Sequence, residues 1–183
     1  MKNQNTKRNA NVLALAALLL TAGTAQAQFA STGTGNVSVT VGAEASIQID
    51  TQNLTLTSSG SNFSDFTGTT AFEYKIRTST GTGSGGITLM VTTDFGGTGG
   101  PSVANPPTAG DSLSYTCTLS APGTAASASN ASTTTATSVG TFGAGASSAK
   151  AGNSGSVSWD LTNDPVYKTG SYTAVVTFTI HAI

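Results

Sequence analysis

Ser112, His181, Cys117 and a scatter of aspartates are the side chains here with the most obvious chemical reach. A serine held in a tight turn can attack a carbonyl if a histidine takes its proton and a carboxylate orients that histidine. Ser112 follows Gly110 and Asp111, which supplies the turn. The only histidine is His181, in an alternating apolar stretch two residues from the end of the sequence. Zinc requires three or four Cys, His or carboxylate ligands, and one His with one Cys is too few. The carboxylates show no alternating Asp loop of the kind that wraps calcium. Asp65, Asp160 and Asp164 could meet in space, although capping of turns is the expected role of each.

The letters Gly110-Asp111-Ser112-Leu113 resemble the nucleophile motif of a large lipase and esterase family. That resemblance implies an α/β fold, a serine after the first strand, and an Asp-x-x-His pair near the C-terminus. Here Phe178 stands three residues before His181, and no helical half of such a fold is visible. Ser112 therefore reads as the turn that starts a strand, and no catalytic residue, cofactor or metal is assigned. Gly81-Thr82-Gly83-Ser84-Gly85-Gly86 matches a dinucleotide-binding fingerprint in letters, but a strand pattern follows it where a helix is needed. Asp94-Phe95-Gly96 stands without any other kinase element.

The elements that would position these residues have period two. Val37, Val39, Val41, Ala43, Ala45, Ile47 and Ile49 share one parity, as do Phe72, Tyr74 and Ile76 against Glu73, Lys75 and Arg77. Ile87, Leu89 and Val91 follow, then Leu113 to Leu119, then Val157, Trp159 and Leu161, and last Tyr172, Ala174, Val176, Phe178 and Ile180. Alternation of this kind is the mark of strands with one buried face. Runs rich in Gly, Ser, Thr, Asn and Pro separate them, notably 96 to 110 and 121 to 138. The expectation is an all-β, immunoglobulin-like sandwich of two antiparallel sheets with seven or eight strands.

One alternating run is too long for a single strand. Val37 to Ile49 would span about 43 Å at 3.3 Å per residue, against a usual five or six residues. Either Gly42 divides it into two strands, or its first half leaves the domain to pair with a neighbour.

Sequence also suggests an address. Lys2, Lys7 and Arg8, an apolar run from Val12 to Leu20, and Ala25-Gln26-Ala27 have the form of a secretory signal peptide cut after Ala27. Residues 28 to 183 would then form a single sandwich domain. Three of the seven basic residues lie in the signal and all eight acidic ones lie beyond it, so the remainder carries a net charge of −4. Four scattered cations, Lys75, Arg77, Lys150 and Lys168, form no phosphate-binding stripe, which argues against nucleic acid as a partner. No later apolar run is long enough to span a bilayer as a helix. Cys117 is the only cysteine, so no disulfide can close within the chain, and its parity with Leu113, Tyr115 and Leu119 predicts a shielded thiol.

Gly170-Ser171-Tyr172 leading into a terminal alternating strand resembles the last strand of bacterial fimbrial subunits. That resemblance implies a sandwich lacking one strand, completed by the extended N-terminal segment of the next subunit. Val37, Val39, Val41 and Ala43 would be the donor strand, and Tyr172, Val176, Phe178 and Ile180 would line the acceptor or terminal strand. It further implies export to the bacterial surface or periplasm and association with copies of itself or another surface subunit. A second resemblance joins Trp159-Asp160-Leu161 and Phe178-Thr179-Ile180 to the paired motifs of WxL cell-wall-binding domains. It implies a monomeric module that binds cell-wall glycan.

Overall fold

The computed structural model describes residues 34–60 and 62–183, so the signal-like segment up to Ala27 lies outside the described residues. The chain divides between Val39 and Thr40. The part of the first unit that is described, residues 34–39, holds no strand. The second unit is all-β, with ten strands in two antiparallel sheets where seven or eight were expected. The excess comes from three two-residue strands that pattern alone does not reveal.

One sheet contains β1 (Glu44–Ile49), β2 (Thr57–Ser58), β3 (Phe66–Arg77), β5 (Leu113–Leu119), β7 (Ser129–Asn130) and β9 (Asn153–Leu161). Its order is β1-β3-β9-β5-β7, with β2 also on β3. The other contains β4 (Gly85–Thr93), β6 (Thr124–Ala125), β8 (Thr137–Phe142) and β10 (Val175–Ala182), in the order β10-β4-β8-β6. All pairings are antiparallel, which suits one buried and one wet face per sheet.

The alternation seen in sequence becomes the core. Phe72, Tyr74 and Ile76 of β3, Ile87, Leu89 and Val91 of β4, and Val157, Trp159 and Leu161 of β9 all point inward and are buried. Phe72 of the first sheet meets Phe178 of the second, ring centroids 5.8 Å apart, and Tyr74 meets Phe142 at 5.2 Å. Both pairs are tilted, the arrangement that ring quadrupoles favour. Phe72 has room because Gly155 lies opposite it, where any Cβ would collide with the ring.

Buried polar atoms are paired. The Tyr115 hydroxyl crosses from β5 to donate to the Ser138 carbonyl of β8 at 2.9 Å, stitching the two sheets. Trp159 Nε1 donates to Thr70 Oγ1 at 2.9 Å, with both residues buried. No buried side-chain nitrogen or oxygen among the described residues lacks a partner, as the desolvation cost of an orphaned group demands.

The long strand expected over Val37 to Ile49 is corrected by the structure: only Glu44–Ile49 is strand. The reason is the length of its neighbour. Glu44 pairs with Arg77, the last residue of β3, so no ladder partner exists upstream of Glu44. Tyr172 is likewise outside the terminal strand, which starts at Val175; its hydroxyl donates instead to the Lys168 carbonyl, and its ring covers Gly97, Gly100 and Gly170.

Candidate functional site

The catalytic candidates do not assemble. Ser112 precedes β5, where its N–H donates to Thr162 Oγ1 at 3.2 Å and its carbonyl accepts from the Thr162 N–H at 3.1 Å. His181 pairs with Gly86 at the start of β4, at the other end of the sandwich. Ser112 is therefore held as a turn residue tying two loops. Cys117 faces Val157 of β9 and is half-buried against the core, and burial pushes its thiol up to about 11. At that value the nucleophilic thiolate is scarce near neutrality.

The aspartates sort by loop. Asp65 accepts from the Asn163 N–H at 3.0 Å and Asp164 from the Val166 N–H at 2.8 Å, which is turn capping. Asp160 stays on the outer face of β9, opposite Thr67 and Ser114. Asp111 instead joins the group, accepting the Tyr167 hydroxyl at 2.8 Å. Burial, the Asp111 hydrogen bond and the nearby charges of Asp111, Asp164 and Asp65 together hold the Tyr167 phenol far above its usual range. Among the described residues no group of three or more His, Cys, Asp or Glu side chains is arranged to hold a metal ion.

Asp94 anchors the long loop after β4. Its carboxylate accepts from Ser102 Oγ at 2.6 Å and from the N–H groups of Phe95, Val103 and Ala104 at 2.8, 2.8 and 3.0 Å. Burial opposes ionisation there, but these donors prevail and hold the carboxyl below its ordinary value. The Asp-Phe-Gly letters thus mark a loop staple. Trp159 is in the core with Tyr115, centroids 5.7 Å apart, so its ring offers no stacking surface to a glycan.

What remains is an edge. β1 and β10 are edge strands of opposite sheets and lie beside one another. Each is paired on one side only, β1 with β3 and β10 with β4. Their inward residues, Ile47 and Ile49 on β1 and Val176, Phe178 and Ile180 on β10, pack against the core but stay only half-buried. Here the sandwich leaves apolar side chains and a row of backbone groups short of cover, the condition that invites strand addition.

The expected donor residues are free of the ladders. Val37, Val39 and Val41 are 100%, 83% and 61% exposed, and Ala43 is exposed too. At the point of exit, Arg77 holds the chain: Nε donates to the Gly42 carbonyl at 2.7 Å and Nη2 to Glu44 Oε2 at 3.0 Å. Sequence reasoning missed this contact because Arg77 reads as one more outward cation, and its partners lie more than thirty residues earlier in the chain. No family model, curated protein or solved structure matches the chain.

Proposed function

We propose that this protein is a structural subunit of the bacterial surface that associates with copies of itself by β-strand addition. In this reading the segment Val37, Val39, Val41 and Ala43 of one copy lies along the free edge of β10 in another. The single observation that supports it is the coincidence of two unfinished features in one chain. One is an exposed segment with strict apolar alternation, and the other is an edge strand whose inward apolar residues are half-covered. Main-chain hydrogen bonds would supply general affinity and the alternate valines would supply fit.

The reading places no chemistry at Ser112 and needs no cofactor or metal. It fits export behind the signal-like segment, with surface or periplasmic assembly as the setting. Deleting residues 34–43 should abolish assembled species while leaving β1 to β10 folded, and an added peptide of residues 36–49 should bind the truncated protein. Assembly undiminished by the deletion would refute the proposal.

A further inference from the structure

A chain with a donor segment joined directly to an edge strand faces a competing outcome: the segment can turn back and complete its own sandwich. Strand parity decides what that would achieve. Val41-Gly42-Ala43-Glu44 could form a two-residue hairpin, since Gly at the first central position suits a type II′ turn. That hairpin would set Val41 opposite Glu44, Val39 opposite Ser46 and Val37 opposite Gln48. Directly opposed residues share a face, and Glu44, Ser46 and Gln48 are all exposed. The valines would then face water, and self-completion would gain nothing from them.

Only a three-residue loop restores the parity. With Gly42-Ala43-Glu44 as the loop, Val41, Val39 and Val37 would face Ala45, Ile47 and Ile49 on the inner side. With Val41-Gly42-Ala43 as the loop, Val39 and Val37 would face Ala45 and Ile47. Arg77 opposes both. The first loop removes Glu44 from its ladder pairing with Arg77 and from the guanidinium. The second turns Gly42 away from the course on which its carbonyl meets Arg77 Nε at 2.7 Å. Gly42 has no other restraint from packing, since a Cβ there would find nothing within 4 Å.

We infer that Arg77 is a positioning residue that keeps this chain from completing its own open edge and so reserves the valine segment for a second copy. Its planar fork suits the task, because one guanidinium reaches a carbonyl and a carboxylate together, which an ammonium cannot do with fixed geometry. The inference rests on the strand-addition reading for its consequence, but the self-docking it describes can be measured without assembly.

The test compares protein from cells expressing the full chain with Val39→Cys in a Cys117→Ala background, with and without Arg77→Ala. Thiol labelling in dilute solution reports whether position 39 is covered, and sedimentation at higher concentration reports assembly. With Arg77→Ala, labelling should slow and the assembled fraction fall by roughly three- to tenfold, the range of one exposed charge-assisted contact. Arg77→Lys should fall between, and high salt should move the Arg77 protein towards Arg77→Ala. A side chain that merely stabilised the fold would instead speed labelling or leave it unchanged. Equal labelling with and without Arg77 overturns the inference, as does equal assembly where the Arg77 protein does assemble. If the Arg77 protein never assembles yet labelling still slows in Arg77→Ala, the positioning role stands and the strand-addition reading falls.

Discussion

Alternation in the donor segment can be tested one residue at a time. Val39 is 83% exposed in the isolated chain, so a charge placed there costs the free subunit little. In a strand-added complex the same side chain would enter the seam between β1 and β10, beside the half-buried Phe178 and Ile180. Covering a valine contributes about 1.5–3 kcal/mol. Leaving a polar group buried without a partner costs about 1–3 kcal/mol more. Val39→Asp should therefore weaken association by about 2.5–6 kcal/mol, or roughly two to four decades in dissociation constant. Ser38→Asp, one residue away on the opposite parity, should change it by no more than about 0.5 kcal/mol. Sedimentation equilibrium on both variants, with urea unfolding to show that each sandwich is intact, makes the comparison. Equal loss from both would mean that net charge acts rather than parity. No loss from Val39→Asp would remove the valines from any interface.

Other expectations follow from the interior. Trp159→Phe and Thr70→Val each orphan the other's buried polar atom, so each should destabilise by about 1–3 kcal/mol, while the double variant in urea unfolding should cost less than the sum by at least about 0.5 kcal/mol; additive losses would refute the buried indole bond. Cys117, with its thiol pushed up to about 11, should alkylate slowly at neutral pH in the folded protein and at a normal rate in urea; equal rates would mean the thiol is not shielded. Asp94 is held below its ordinary value, so its stabilising contribution is complete above the unfolded carboxylate's titration and is lost as pH falls through the lower folded value. Asp94→Asn should loosen the 94–104 loop, raising amide exchange at Val103 and Ala104, and should flatten the acid limb of the stability curve below about pH 4; an unchanged limb would deny the staple.

Much of the sandwich was legible because each long strand carries its own one-sided pattern. Phe72 to Ile76, Ile87 to Val91 and Val157 to Leu161 are buried on the parity that the sequence shows. Two boundaries were not legible, and for a shared reason. Alternation says which face a residue would present, but not whether a partner strand reaches that far. Val37 to Ala43 continue the parity of β1 without a ladder because β3 stops at Arg77. Tyr172 keeps the parity of β10, yet it serves the glycine-rich loop, where its ring needs Gly97 and Gly100 beneath it. The two-residue strands β2, β6 and β7 are too short to carry a period at all. Arg77 was invisible as a site because its role depends on a carbonyl and a carboxylate that only folding brings to it. The same long-range placement explains why Asp111, rather than Asp160, joins Asp65 and Asp164 around Tyr167.

The central claim is that one copy's valine segment completes another copy's edge, and peptide exchange measures this most directly. A fluorescent peptide of residues 36–49 would be titrated against the full protein over a range of protein concentrations while particle size is followed. Strand addition predicts concentration-dependent assemblies that shrink as the peptide is taken up, with a Val39→Asp peptide inert and a Ser38→Asp peptide active. A soluble monomer at every concentration, with no peptide bound, would contradict it.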